Sequence, residues 1–147
     1  MLHRFIEYMP FGGTDWSKGK MVPSRVLLSR IGDVYPYTAL HATSADETSK
    51  RYWVPGFEGS FGFISSMSDH FCSSCSRLRL TADGGLKVCL FGSEETNLRE
   101  MLRNGSSDEE IVKVIGDTVM LKKASHGGMD EIAKHVNENR PMITIGG

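Results

Sequence analysis

Three cysteines constrain this chain more strongly than any other feature of its sequence. Cys72 and Cys75 form a CxxC pair, and thirteen residues separate that pair from Cys89. Two residues between thiols let both sulfurs converge on one ion from a tight loop, whereas thiols that only pack in a core need no such spacing. A structural metal site is normally closed by four protein ligands, so three thiolates leave one coordination position open. The spacing therefore predicts a metal or iron–sulfur site that can accept a further ligand.

A β-hairpin would bring the third cysteine back towards the pair. Residues 77–82 and 86–90 are predicted as two short strands, and the glycines of the intervening Asp83-Gly84-Gly85 turn tolerate positive φ. Because the strands of a hairpin run side by side, we expect Cys89 to lie beside the CxxC loop.

The first hairpin strand carries two arginines. Alternation along a strand places Arg77 and Arg79 on one face and Leu78 and Leu80 on the other. Two arginines on one strand most often form a solvated face, so this pattern alone assigns them no role.

Turn signals and apolar periodicity predict the elements on the amino-terminal side of the cysteines. We expect a buried strand at residues 2–9, a helix at 25–31 with Ser24 as its N-cap, and strands at 51–54 and 60–65. The polar stretch 41–50 is predicted as a flexible loop.

The last third of the chain is predicted to be helical. Residues 97–103 form one expected helix, Ser107 begins a capping signature for a second, and 129–135 form a short third segment. These helices are expected to cover the hairpin.

Composition restricts the class of protein. With 147 residues, 39% of them hydrophobic, the chain can bury a core, and no apolar run is long enough to cross a membrane. A net charge of −1 gives no general electrostatic reason to bind nucleic acid. The odd number of cysteines argues against a secreted disulfide framework and favours a reducing compartment. The first residues show no targeting segment.

Three stretches together resemble one known family. The run FCSSCSRLRLTADGGLKVCLFG, the opening RFIEYMPFGG and the ending RPMITIGG are similar to the carboxy-terminal part of the GTP 3',8-cyclases of molybdenum cofactor biosynthesis, which are radical SAM enzymes. The resemblance implies an α+β fold in two parts. Residues 1–34 would be the last strand and helix of an incomplete (β/α) radical SAM barrel. Residues 35–147 would be an iron–sulfur, GTP-binding domain with a cluster-binding hairpin, covering helices and a Gly-Gly tail.

The resemblance also implies roles for individual residues. In the family, three cysteines hold a 4Fe-4S cluster whose open iron faces the purine of GTP, and Cys72, Cys75 and Cys89 match them. Arg77 and Arg79 match arginines that contact GTP, and a triphosphate suits the fixed fork of a guanidinium. The family usually has asparagine after the second cysteine, where this chain has Ser76.

The tail has a role in the family as well. There the flexible end enters the active-site cavity and assists catalysis, which implies a catalytic role for Gly146 and Gly147. Glycine has no side chain to obstruct a narrow channel. A frayed terminus is the ordinary alternative.

The family needs more than this chain contains. Its first 4Fe-4S cluster lies on a CxxxCxxC loop, binds S-adenosylmethionine and generates the radical, and the sequence has no such motif. The resemblance thus implies that a full-length protein converts GTP to 3',8-cyclo-7,8-dihydro-GTP and that this portion alone is inactive. Its expected partners are GTP, the missing amino-terminal barrel and a second copy in a homodimer; cyclic pyranopterin monophosphate synthase would act next. The compartment would be the mitochondrial matrix in a eukaryote and otherwise the cytoplasm.

A zinc site is the alternative from a different functional class. His70 lies two residues before Cys72 and would complete a Cys3His set, which would make the chain a structural or interaction module. Metal and sulfide analysis separates the two readings.

Overall fold

The computed structural model describes residues 1–42, 44 and 47–145. The chain divides into two compact units. The first contains Met1–Pro10 and Asp15–Cys75, and the second contains Phe11–Thr14 and the chain from Ser76 onward. The division predicted between residues 34 and 35 rests on the family resemblance and stays a prediction.

The first unit is built on a sheet whose strands lie in the order β1-β4-β3-β2. These strands are β1 (Leu2–Ile6), β2 (Thr38–Ala39), β3 (Lys50–Trp53) and β4 (Ser60–Ile64). Strands β1 and β4 are parallel, whereas β3 is antiparallel to both β4 and β2. The strands predicted at 51–54 and 60–65 are confirmed within one residue.

Strand β1 lies at the edge of this sheet and is more exposed than predicted. It ends at Ile6, and Phe5 and Ile6 are 51% and 58% exposed. The expectation of a buried strand is wrong for the described part of the chain, where β1 is an edge strand with mostly exposed side chains. Phe63 is buried on β4 and packs against Phe5, with ring centroids 5.5 Å apart.

Helix α1 (Ser24–Gly32) lies where the sequence predicts it but begins differently. Ser24 is not the N-cap; Pro23 takes that position, and Ser24 is the first helical residue. Its backbone N–H donates to Glu7 Oε1 at 2.7 Å, and its hydroxyl is hydrogen-bonded to that of Ser65 at 2.7 Å. Tertiary contacts therefore provide what a local cap would have supplied.

The second unit contains a three-stranded antiparallel sheet with the order β5-β6-β7. Its strands are β5 (Arg79–Leu80), β6 (Gly85–Lys87) and β7 (Thr96–Asn97). The predicted hairpin is confirmed as β5–β6, although both strands are shorter than the predicted 77–82 and 86–90.

Three helices complete the second unit: α2 (Leu98–Arg103), α3 (Asp108–Met120) and α4 (Met129–Lys134). The predicted cap of α3 is confirmed, because Ser107 and Glu110 form a reciprocal capping box. The apolar core of this unit consists of buried side chains from the hairpin, α4 and loops, namely Phe11, Leu86, Ile132 and Ile145.

The mixed α+β class is confirmed by two small sheets and four helices in the described part of the chain. Among those residues, no helix combines the length and apolar character that a membrane span requires. The loop predicted at 41–50 falls partly outside the described residues, and Gly146 and Gly147 lie outside them entirely.

Candidate functional site

The CxxC pair forms a single turn in the first unit. Cys72–Ser74 is a 3-10 turn, and the N–H of Cys75 donates to the carbonyl of Cys72 at 3.2 Å. Both thiols are half-buried. This turn is the tight loop that a CxxC spacing predicts, and its use as a metal site stays a prediction.

A buried carboxylate anchors the segment that leads into this turn. Glu7, only 5% exposed, lies just beyond β1 and accepts hydrogen bonds from the backbone N–H groups of Met67 at 2.9 Å and Ser68 at 2.8 Å. The Ser68 hydroxyl also donates to it, as does the N–H of Ser24. Burial raises the pKa of Glu7, but the hydrogen bonds from Ser68, Ser24 and Met67 outweigh burial and lower the pKa overall. Glu7 therefore stays ionised and fixes the chain four residues before Cys72.

A cavity of about 250 Å³ opens next to this anchor in the first unit. Arg25, Lys50 and Tyr52 line it together with Ser68 and Asp69. Two cationic side chains, Arg25 and Lys50, line the cavity, and the ion pair with Asp69 offsets the charge of Lys50. The cavity therefore has no strong preference for an anion.

The third cysteine lies in the second unit, close in sequence to a backbone carbonyl that accepts a hydrogen bond from a lysine. Cys89 is half-buried and follows Val88, beyond the end of β6. Lys122 Nζ donates to the carbonyl oxygen of Val88 at 2.7 Å and to that of Arg77 at 2.9 Å. Sequence reasoning missed Lys122, since a lysine after a helix carries no signal of such a role.

The two arginines alternate with leucines as predicted, but burial is the reverse of a usual solvated strand. Arg77 and Arg79 are half-buried, whereas Leu78 and Leu80 are 43% and 64% exposed. The guanidinium face is therefore the more enclosed face of this strand, which is unusual because arginine is normally among the exposed residue types.

The second hairpin strand, β6, ends in a buried lysine. The Lys87 side chain is fully enclosed, and its ammonium group donates to the Gly92 carbonyl at 2.5 Å, to Asn139 Oδ1 at 3.1 Å and to Glu95 Oε1 at 3.3 Å. A buried ammonium is costly without such partners, and three acceptors match its three protons. Asn139 in turn donates to the Leu90 carbonyl at 2.8 Å.

The next residue, Arg140, extends this network to the hairpin turn. It bonds both oxygens of Glu95 and also Asp83, so the root of the carboxy-terminal segment is tied to the sheet. The hydrogen bond from Arg140 is the largest influence on the pKa of Glu95, which lies below its ordinary value. Hydrogen bonds from Thr81 first and Arg140 second lower the pKa of Asp83 to about 2. Ile145, beyond the 3-10 turn Met142–Thr144, is 1% exposed.

The predicted site residues thus fall into two groups. Cys72 and Cys75 share one turn of the first unit, while Arg77, Arg79 and Cys89 lie on or beside the hairpin of the second. Soft thiolates of this kind suit an iron–sulfur cluster or zinc, so the donor set fits the group that the resemblance implies.

Comparison with known proteins gives a consistent picture. Residues 2–128 match the protein family described as Molybdenum Cofactor Synthesis C. The chain is 54% identical to molybdenum cofactor biosynthesis protein 1 of Dictyostelium discoideum over 97% of its own length and 23% of that protein. It is 47% identical to the mitochondrial GTP 3',8-cyclase of Arabidopsis thaliana, covering 98% of the chain and 36% of the relative. The GTP 3',8-cyclase of Syntrophomonas wolfei is 42% identical over 98% of the chain and 44% of that protein. The chain therefore spans less than half the length of these relatives.

Proposed function

This chain belongs to the Molybdenum Cofactor Synthesis C family, and on that premise we propose that it is the substrate-binding, carboxy-terminal part of a GTP 3',8-cyclase. The complete enzyme would convert GTP to 3',8-cyclo-7,8-dihydro-GTP. The observation that carries this proposal is the family match over residues 2–128, which contains the whole three-cysteine motif.

Cys72, Cys75 and Cys89 would hold a 4Fe-4S cluster. When bound, the cluster supplies an iron with an open coordination position that a nitrogen or oxygen of the nucleotide can approach. Support comes from the thiol chemistry of the three residues, from their partial burial and from the turn that joins the first two. Glu7 would keep that turn in place, because it fixes the chain at Met67 and Ser68.

Arg77 and Arg79 would bind the triphosphate of GTP. Their half-buried face supports this role, because a partly desolvated guanidinium forms stronger charge-assisted hydrogen bonds with phosphate than one in open water. Ser76 has a hydroxyl where the family usually has an amide, and a water would bridge the shorter reach.

Gly146 and Gly147 would assist catalysis from the end of the chain. The network around Arg140 supports this role, since it holds the segment that precedes them to the hairpin. A fixed root restricts the space in which a short glycine tail has to search for the substrate.

The remaining parts of the reaction would belong to the amino-terminal barrel. S-adenosylmethionine and the other 4Fe-4S cluster would lie there. The whole enzyme would form a homodimer, and cyclic pyranopterin monophosphate synthase would convert its product in the next step. The mitochondrial name of the Arabidopsis thaliana relative supports the mitochondrial matrix as the compartment of a eukaryotic protein.

Iron and sulfide analysis of the full-length protein tests the cluster. After anaerobic reconstitution, replacing Cys72, Cys75 or Cys89 by alanine should remove about four irons and four sulfides per chain, which is one 4Fe-4S cluster. His70→Ala should remove none. Stoichiometric zinc without sulfide, lost on His70→Ala, would favour the Cys3His module instead.

Nucleotide binding and turnover test the rest. Arg77→Ala and Arg79→Ala should weaken GTP binding with the cluster retained, and deletion of Gly146 and Gly147 should abolish turnover with GTP binding retained. The present chain alone, mixed with S-adenosylmethionine, reductant and GTP, should release no 5'-deoxyadenosine. Release of that product would refute the proposed division between the two parts of the enzyme.

A further inference from the structure

Lys122 joins the two sides of the hairpin at its open end. Its ammonium group donates to the carbonyl of Val88, the residue before Cys89, and to the carbonyl of Arg77. We propose that Lys122 is a positioning residue that sets both the main-chain geometry and the electrostatic potential at Cys89 and Arg77. The proposal rests on the proposed function, in which Cys89 holds the cluster and Arg77 binds GTP.

The pairing between β5 and β6 ends before it reaches Arg77 and Val88. Arg79 and Lys87 are the last hairpin pair on the side of the open end, so Arg77 and Val88 lie beyond it. From there on, Lys122 bridges the two chains with hydrogen bonds of 2.9 and 2.7 Å. A single side chain thus continues the pairing to within one residue of Cys89.

The lysine itself is well anchored. Its backbone N–H donates to the Val119 carbonyl at 3.1 Å, which closes the last turn of α3. Helix α3 is in turn tied to β7, since the hydroxyls of Thr96 and Thr118 are hydrogen-bonded at 2.9 Å. The bridge therefore joins the end of a fixed helix to the end of a fixed hairpin, so neither side is free to drift.

The charge of Lys122 is not neutralised by a carboxylate in the described part of the chain. Among the residues that the structure describes, no carboxylate lies within ion-pair distance of its ammonium group, whose two recorded acceptors are neutral carbonyls. Net charge and hydrogen bonding near an iron–sulfur cluster set its reduction potential. A cation held at the residue before a ligating cysteine favours the reduced, more negative state of the cluster, so its loss should make the reduction potential more negative.

Three substitutions in the full-length enzyme separate position from charge. Lys122→Met removes donors and charge, Lys122→Gln keeps donors without charge, and Lys122→Arg keeps both. Lys123→Met changes an exposed neighbour and serves as the matched control. The first readout is the retention of iron in the presence of a chelator. The second is the reduction potential of the cluster held by Cys89, which is identified by the electron paramagnetic resonance signal that the Cys89→Ser variant lacks.

Lys122→Met should weaken cluster retention about 10- to 100-fold, as loss of a supporting contact around a metal site typically does, and shift the potential negative. Lys122→Gln should shift the potential with retention near that of the wild type. Lys122→Arg and Lys123→Met should change neither. If Lys122→Met does not fold, Lys122→Gln alone decides the electrostatic part of the proposal.

Unchanged retention and potential in Lys122→Met or an unchanged potential in Lys122→Gln would overturn the inference, as would a loss of thermal stability with no shift in potential. Failure of the proposed function has a different signature. In that case Cys89→Ser itself would lose no iron and no signal, and the role of Lys122 at the cluster would be overturned with it.

Discussion

Arg140 donates two hydrogen bonds to Glu95, from Nε to Oε1 at 2.6 Å and from Nη2 to Oε2 at 2.7 Å. The same guanidinium reaches Asp83 Oδ2 at 2.7 Å, in the turn of the hairpin. One side chain therefore connects the beginning of the carboxy-terminal segment to the turn before β6 and to the residue before β7. Lysine has no planar fork and cannot reproduce this arrangement.

Replacing Arg140 should affect catalysis more than nucleotide binding. Arg140→Ala is expected to lower the melting temperature and to reduce kcat with little change in the KM for GTP, because the segment before the glycine tail loses its anchor. Arg140→Lys should fall between alanine and the wild type. Steady-state kinetics and thermal unfolding of the full-length enzyme provide the measurement, and Arg103→Ala on the exposed side of α2 provides the control. Equal losses in Arg140→Ala and Arg103→Ala would contradict a specific anchor.

Asp83 should make the second unit sensitive to acid in a defined range. Hydrogen bonds from Thr81 and Arg140 lower its pKa from an ordinary 3.8 to about 2 in the folded chain. Above pH 4 the carboxylate is ionised in both states and its contribution to stability is complete. As the pH falls towards 2 the unfolded state takes up the proton first, so that contribution disappears.

Asp83→Asn should therefore flatten the fall in stability between pH 4 and pH 2. Urea unfolding at a series of pH values measures it, and Asn in place of the exposed Asp33 is the control. An acid profile identical to that of the wild type would rule out the ion pair as its source.

Two glycines with similar positive φ allow the steric cost of an alanine substitution to be separated from its conformational cost. Gly84 and Gly105 have φ of +84° and +78°, so alanine at either position costs about 1 to 2 kcal/mol from backbone strain. At Gly84 a Cβ would lie 2.5 Å from Arg99 Cβ, whereas at Gly105 nothing lies within 4 Å.

Gly84→Ala should therefore cost roughly 1 to 3 kcal/mol more than Gly105→Ala, which is the range for overpacking. The difference in the free energy of unfolding, measured with urea, tests this. Similar values for the two variants would mean that Arg99 moves away without penalty.

Glu7→Gln should loosen the segment that leads into the CxxC turn. An amide offers one acceptor oxygen and turns an NH2 donor towards N–H groups of the main chain, so at least one buried donor loses its partner. We expect the opening free energy of the amides of Met67 and Ser68 to fall by about 3 kcal/mol.

Hydrogen exchange followed by mass spectrometry measures that change directly. Glu58→Gln, at an exposed position in the loop between β3 and β4, is the matched control. Protection at Met67 and Ser68 that survives Glu7→Gln would show that the carboxylate is not the anchor.

Local chemistry made part of the fold predictable from the sequence. The capping box of Ser107 and Glu110 and the turn at Gly84 depend on residues within a few positions, so their signals are complete in a short window. Ser24 shows the opposite case. Its partner Glu7 is 17 residues away, and a cap predicted from neighbours was therefore wrong.

The same distinction holds for the site. Cysteine spacing and the alternation after Cys75 are short-range patterns, and both could be read directly. The bridge from Lys122 spans 45 residues to Arg77, and the link from Arg140 spans 57 residues to Asp83. The hairpin strands were predicted too long because their outer residues leave the ladder and are held by such remote side chains, including Asn139 at Leu90.

The buried carboxylate of Glu7 also constrains the order in which the chain can acquire its structure on the ribosome. Glu7 is synthesised before its partners, because the backbone groups of Met67 and Ser68 that surround it follow 60 and 61 residues later. Until they arrive, a charge at the end of β1 has to stay in water, so the parallel pairing with β4 cannot close early. Strand β1 is therefore secured only after synthesis has passed Ser68, and a translational pause before that residue would leave the strand exposed to chaperones.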